Sequence, residues 1–247
     1  MAMLVTRPQP DNEATAALLR AKGVEVLLAP MLRFEPVAFD IDPEVEYGGV
    51  IVSSANAFRA MEGKPSLTRL LDLPLFAVGP HTADVAEAFG FRDLVVAEGD
   101  AISLRDTIIA TVRERNMDRS KPLLWLVGAD LARDIATELR GLGYNVVAQT
   151  VYKMVPVHSL PDDVCSAFAG SRIDTVMHYS GRSARSFLDA ARAAGIEISA
   201  LAIVHCCISE AVASVVREAG ATRVIVARAP SEAAMFEVLD RALGLPS

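Results

Sequence analysis

"LLWLVGADLARDIATELRGLGYNVVAQTVYKMVPV" (residues 123–157) repeats "MLVTRPQPDNEATAALLRAKGVEVLLAPMLRFEPV" (residues 3–37) without a gap, at an offset of 120. Leu4/Leu124, Ala16/Ala136, Leu19/Leu139, Arg20/Arg140, Gly23/Gly143, Val26/Val146, Pro36/Pro156 and Val37/Val157 are identical pairs. Each copy reads as an apolar strand, a turn, an amphipathic helix, a glycine stop, a second strand and an extended tail. The glycine falls where the end of a helix needs a positive φ.

Two further pairs extend the repeat. "GGVIVSSANAFRAM" (residues 48–61) matches "DTVMHYSGRSARSF" (residues 174–187), and "LFAVGPHTADVAEAF" from Leu75 matches "AIVHCCISEAVASVV" from Ala202. In this register Ser54 stands opposite Ser180, and Thr82 opposite Ser209. Only a circular arrangement completes both copies, so one domain is expected to be inserted in the other. Residues 1–35 and 158–247 make a discontinuous domain, residues 40–150 the inserted one, and segments about 30–39 and 149–158 the linker strands. Strands alternating with helices predict an α/β fold: two similar five-stranded parallel-sheet, flavodoxin-like domains with both sheet faces covered. The two linkers run in opposite directions and predict a two-stranded antiparallel β-ladder, limited by Pro36 and Pro156, which cannot donate to it. Tyr152 is placed in this hinge.

The 247 residues suffice for two real cores, and 52% hydrophobic with 22% charged residues is a globular α/β composition. The opening "MAMLVTRPQP" lacks the apolar stretch of a signal peptide, and no apolar run reaches the ~20 residues that cross a bilayer, so a cytoplasmic protein without membrane contact is expected. Net charge of −7 with no basic block argues against nucleic acid as a partner. Three cysteines, Cys165, Cys206 and Cys207, without a C-x-x-C, indicate reduced thiols and neither a disulfide framework nor a structural zinc site.

In a doubly wound sheet, ligands bind beyond the carboxyl ends of the strands, where turns present helix N-termini. Those turns here include "SSANAF", "VGPHTAD", "YSGRSA" and "CCISEA". Ser54, Thr82, Ser180 and Ser209 in them suit either an anionic ligand or the capping that every helix needs. No G-x-G-x-x-G follows a strand, no phosphate-binding G-x-x-x-x-G-K-[ST] is present, and no G-x-S-x-G elbow precedes a helix. Dinucleotide, nucleoside-triphosphate and serine-hydrolase chemistries are therefore set aside. His178 and His205, on strands expected to be neighbours and close to Cys206 and Cys207, have the residue types of a soft metal site. Their repeat partners in this register, Val52 and Val78, mark core positions instead.

The order and spacing of "LVTRPQP", "SSANA", "AVGPHTA", "TVYKMVP" and "APSEAAMFEVL" on this duplicated frame resemble the uroporphyrinogen-III synthase family across essentially the whole chain. The resemblance implies an enzyme of two such domains that encloses the linear tetrapyrrole hydroxymethylbilane and closes it to uroporphyrinogen III with loss of water and inversion of ring D. It implies no cofactor and no metal, a monomer, and a substrate handed over by the preceding, hydroxymethylbilane-producing enzyme. Tyr152 matches the family's linker tyrosine, thought to assist departure of the substrate hydroxyl on the way to an azafulvene and a spiro intermediate. A phenol with pKa about 10 is protonated at neutral pH and suits that donation. The competing reading of Tyr152 is a strand aromatic packed on Leu32 or Phe34. Ser54, Thr82, Ser180, Ser209 and Arg7 match substrate-binding positions, with Arg33, Lys153 and Arg182 as further candidates. Local N–H donors and Arg7 would outweigh a screened negative global charge toward an acidic substrate. The family's second Gly-Pro turn is read here as Cys206-Cys207, which predicts oxidation-sensitive thiols. Two other function classes remain open: a non-catalytic, two-lobed, hinge-bending binding protein for an anionic small molecule, and a regulatory module fused to other enzymes.

Overall fold

A computed structural model describes residues 2–131 and 133–243. In chain order the elements are β1 (Ala2–Val5), α1 (Asp11–Ala21), β2 (Glu25–Leu28), β3 (Leu32–Pro36), β4 (Gly49–Val52) and α2 (Asn56–Met61). A 3-10 turn (Pro65–Leu70) is followed by β5 (Leu75–Ala77), α3 (Pro80–Phe89), β6 (Leu94–Val96), α4 (Ala101–Glu114), β7 (Leu123–Gly128), α5 (Ile135–Gly141) and β8 (Val146–Pro156). Then come α6 (Asp162–Ala169), β9 (Ile173–His178), α7 (Gly181–Ala193), α8 (Glu197–Ala202), β10 (Val204–Cys207), α9 (Glu210–Glu218), β11 (Val224–Val226) and α10 (Glu232–Leu243). Among the described residues, no helix is long and apolar enough to cross a membrane.

The chain divides into two compact units, Met1–Arg33 with Val155–Ser247, and Phe34–Met154. The first holds a five-stranded sheet of order β11-β10-β9-β1-β2, the second a sheet of order β3-β8-β7-β4-β5-β6. Within each, the strands of the repeat pair in parallel. Substituting β7, β8, β4, β5 and β6 for β1, β2, β9, β10 and β11 turns one order into the other, so the two sheets are circular permutations of one pattern.

The second sheet has six strands, not five, because the linker is not a separate element. β8 runs on for eleven residues, from its pairing with β7 into its pairing with β3. Val37 N–H donates to Val151 O at 2.9 Å, and Val157 N–H to Met31 O at 3.0 Å. As one residue number rises the other falls, which makes this pairing antiparallel. Lys153 pairs with Glu35 along it, at 2.9 Å.

Each sheet is buried on both faces, which explains the continuous apolar runs. In β1, Leu4 joins one core while Met3 and Val5 join the other. In β7, Leu124 and Leu126 face one core, and Leu123, Trp125 and Val127 the opposite one. The glycine stops close both copies of the repeat identically. Gly23 (φ 78°) and Gly143 (φ 80°) follow their helices, and Val24 and Tyr144 donate back to Leu19 O and Leu139 O. This is the six-to-one bond of a left-handed helix cap, which a side chain at the glycine would strain.

The strand registers correct the third segment of the repeat. Val50 pairs with Leu75, whereas its counterpart Val176 pairs with His205, giving an offset of 130 from β5 onward rather than 127. The left-handed glycines Gly90 and Gly220 closing α3 and α9 keep that offset. Ser209 is therefore equivalent to Gly79, and Thr82 to Val212. The counterpart of His205 is Leu75, not Val78, and the Gly79-Pro80 turn corresponds to Ser209-Glu210, not to the cysteines. The two sequences slip by three residues without an apolar penalty, and the hydrogen-bond ladder, with the helix-closing glycines, separates the alternatives.

Candidate functional site

In the Phe34–Met154 unit, the carboxyl ends of β4, β5 and β7 surround an open concavity of about 380 Å3, lined by Ser54, Val78, Asp130 and Tyr152 among others. Val127, Leu104 and Trp125 contribute its apolar wall. Its position beyond the strand ends is where this class of sheet holds ligands.

Tyr152 reaches this concavity through a break in strand alternation. Val127 pairs with Thr150, but the next residue, Gly128, pairs with Tyr152, leaving Val151 as an extra residue on β8. Two residues opposite one make a β-bulge, a device that re-aims a side chain. In a regular strand Val151 and Tyr152 would face opposite sides; here both are buried in the same core. Ala129 N–H donates to Tyr152 O at 2.9 Å and pins the bulged backbone.

The Tyr152 ring stacks on Phe34 at 5.7 Å between centroids, and the Arg59 guanidinium lies 4.3 Å over the other member of that stack, Phe34. The packing expectation for Tyr152 thus holds at Phe34. Only 9% of Tyr152 is exposed. Burial raises its pKa from the ordinary phenol value, the Asp130 carboxylate acts in the same direction, and a hydrogen bond with Ser54 partly opposes them. The phenol therefore stays protonated at neutral pH, with Ser54 lining the same concavity.

The other hydroxyls expected at the site are placed differently. Ser54 is not an N-cap; its Oγ accepts from Asn56 N–H at 3.3 Å in the turn before α2, whose N-cap is Ala55. Ser180 caps α7, accepting from Ser183 N–H at 3.1 Å, and Ser209 caps α9, accepting from Val212 N–H at 3.4 Å. Thr82 lies within the first turn of α3 and is 5% exposed. Of these hydroxyl residues the concavity brings together Ser54 and Tyr152, and not Thr82.

Arg7, in the other unit, is committed to carboxylates of its own chain. It donates to Asp11 at 2.9 Å and to Glu232 at 3.3 Å, and its guanidinium lies 4.7 Å over the Tyr179 ring. Tyr179 Oη and Thr15 Oγ1 both donate to the same Glu232 carboxylate. Burial raises the Tyr179 phenol well above its ordinary range. Sequence reading missed Tyr179 and Glu232 because they lie 172 and 225 positions from Arg7. It missed Asp130 and Gly128 because neither stands out in "LVGAD" until the bulge aims Tyr152 at them.

His178 and His205 form a buried, stacked pair, 3.1 Å between His178 Nε2 and His205 Nδ1. His205 Nε2 lies 3.0 Å from Ala200 O, an acceptor only, so that nitrogen carries the proton. His205 Nδ1 then accepts, and His178 Nε2 donates to it. Burial lowers both pKa values, that of His205 to about 4, and both rings are neutral. Cys206 and Cys207 are fully buried, in the cores on opposite faces of β10. Burial pushes each thiol up to about 12, contrary to the expectation of reactive cysteines.

The profile of the family described as Uroporphyrinogen-III synthase HemD matches residues 13–237. The chain belongs to the uroporphyrinogen-III synthase family. It is accordingly an enzyme of tetrapyrrole biosynthesis, a cyclising lyase, and the binding-protein reading has no support. The fold of a uroporphyrinogen-III synthetase from Helicobacter pylori is similar, with a TM-score of 0.67 at 18% identity over 98% of this chain and 99% of that one. A mutant uroporphyrinogen III synthase from Thermus thermophilus gives 0.57 at 17% identity over 99% of each chain. At such identities the likeness reaches the α/β fold with parallel sheets, and the family match carries the activity.

Proposed function

We propose that the chain closes hydroxymethylbilane to uroporphyrinogen III, with Tyr152 as the proton donor to the departing hydroxyl. The observation that supports this is a buried, protonated phenol at the edge of a concavity beyond the strand ends, with Ser54 lining the same concavity. Proton transfer from Tyr152 Oη lets the hydroxyl leave as water, and the pyrrole nitrogen's electrons form the azafulvene. Ring D attacks through its substituted carbon to give the spiro intermediate. After rearrangement the macrocycle closes with loss of a proton from ring D, which restores the phenol. Positioned general-acid assistance of this kind contributes roughly 100- to 10,000-fold, and holding ring D at the correct carbon determines the isomer.

Ser54 is assigned to orienting the phenol and to hydrogen bonding with substrate. Ser180 and Ser209, with the N-terminal N–H groups of the helices they cap, are assigned to the acetates and propionates of the substrate, and Arg7 to the same groups by exchanging Asp11 or Glu232 for a substrate carboxylate. Thr82, buried in its helix, supports the backbone there rather than touching substrate. We place the enzyme in the cytoplasm as a monomer, without cofactor or metal, taking substrate from the enzyme that produces it. The family's flavodoxin-like pair of domains, residues 1–35 with 158–247 and residues 40–150, fits the strand orders and permuted repeat described above.

The test supplies freshly generated hydroxymethylbilane, oxidises the products and separates type I from type III porphyrin, for wild type, Tyr152→Phe and no enzyme. Type III is expected from wild type and a loss of at least about 10-fold in its rate from the variant. Type I alone from folded wild type overturns the activity. Full type III synthesis by Tyr152→Phe overturns the role of the phenol.

A further inference from the structure

Among the described glycines, Gly128 is the one at which an added Cβ would fall within 3.0 Å of other atoms, and the three nearest belong to Tyr152. The distances are 2.7 Å to Cζ, 2.8 Å to Cε2 and 2.9 Å to Oη. The reacting end of the ring therefore lies directly on the bare Cα of Gly128. Gly128 is not among the residues of positive φ, so the backbone does not require glycine there. The space a side chain would take is filled by the phenol.

The same residue stands opposite the bulge. Gly128 pairs with Tyr152 across the register shift that leaves Val151 extra, and Ala129 N–H holds Tyr152 O immediately beyond it. Backbone and ring are thus fixed by adjacent contacts. Phe34 stacks on the ring, and little of the ring is exposed, so it cannot yield to a methyl group without leaving its packing.

We infer that Gly128 is a positioning residue for the reaction: with the Val151 bulge it forms a seat that sets where the Tyr152 hydroxyl meets the substrate. This rests on the proton-donor role proposed for Tyr152. A shift of about 1 Å in a positioned group is enough to cost on the order of 100-fold in rate, and the Cβ contacts demand a displacement of that order. Gly128 forms and breaks no bond in this scheme and acts only by setting where the ring and its hydroxyl lie.

The test is Gly128→Ala, examined by product analysis and by NMR of protein with 13C-labelled tyrosine rings. Tyr152→Phe assigns the Tyr152 signal among the four tyrosines. The expected result is a displaced Tyr152 resonance, since the ring-current effect of Phe34 changes, with Tyr47, Tyr144 and Tyr179 unmoved. The kcat for type III should fall by at least about 10-fold while KM changes less than about 3-fold. In a Tyr152→Phe background Gly128→Ala should add no further loss, because both act through one hydroxyl. An unmoved Tyr152 resonance overturns the seat. A moved resonance with unchanged kcat and product overturns the proton-donor role on which the inference rests. Equal losses with and without the hydroxyl show that Gly128 acts otherwise, and also overturn it. Should Gly128→Ala alone fail to fold, the double variant Gly128→Ala/Tyr152→Ala is expected to melt with Tyr152→Ala. Failure of that rescue overturns the inference as well.

Discussion

Acidification should unlock the buried histidine pair before it affects most of the surface. His178 and His205 stack on one another, and the Phe187 ring lies 5.5 Å and 6.5 Å from them. The chain His178 Nε2–H to His205 Nδ1, and His205 Nε2–H to Ala200 O, uses the available protons and leaves no acceptor for another at that contact. Both folded pKa values lie below the unfolded value of 6.5, so the unfolded chain binds more protons and stability rises with pH. The stability is complete above pH 6.5 and is lost as pH falls from there toward 4. With His205 at about 4, going from pH 8 to pH 5 removes ~2 kcal/mol, from 1.36 kcal/mol per pKa unit. His178, pushed in the same direction, adds to this loss. At ~4 °C per kcal/mol for a unit of this size, the melting temperature should drop by roughly 8 °C or more. The control is His178→Val/His205→Leu, which installs the residues Val52 and Leu75 found at the equivalent places of the other unit. The variant leaves Ala200 O without this donor and starts less stable, so the pH dependence, measured by calorimetry at both pH values, is the readout. It should retain the acid loss due to carboxylates alone. Equal losses in wild type and variant would refute the argument.

The cysteine and hydroxyl assignments are tested more simply. Native protein treated with iodoacetamide at pH 8 should gain at most one adduct, at the half-buried Cys165, because Cys206 and Cys207 are buried and their thiols raised to about 12; mass spectrometry showing two or three adducts on folded protein would contradict this. Ser209→Ala should cost ~1 kcal/mol as the loss of an N-cap, read by denaturant unfolding. Thr82→Val should change stability by less than about 1 kcal/mol and leave kcat for type III unchanged, since its structural counterpart is already Val212; a larger effect on kcat would return Thr82 to the substrate.

The sequence by itself determined the duplicated frame. The 120-residue offset paired β1-α1-β2 with β7-α5-β8, and it placed Gly23 and Gly143 at helix ends where only a permissive backbone avoids strain. Chain order alone required a permuted sheet, because a strand can be added at an edge or a centre without changing its own pattern. The alternation of apolar strands with helices announced parallel sheets covered on both faces.

Tertiary structure decided what local pattern leaves degenerate. Two apolar segments slide past one another by three residues at little cost in hydropathy, so the pairing of Thr82 with Ser209 looked sound until the ladder matched Leu75 to His205. The alternation in "TVYKMVP" put Val151 and Tyr152 on opposite faces, and a single unpaired residue put them on the same one. The partners of Arg7 came from Asp11, four residues away, and from Glu232, at the far end of the chain. Periodicity specifies which faces of a strand or helix are apolar. Hydrogen-bond register and long-range ion pairs specify which side chains meet, and those depend on contacts that no local stretch contains.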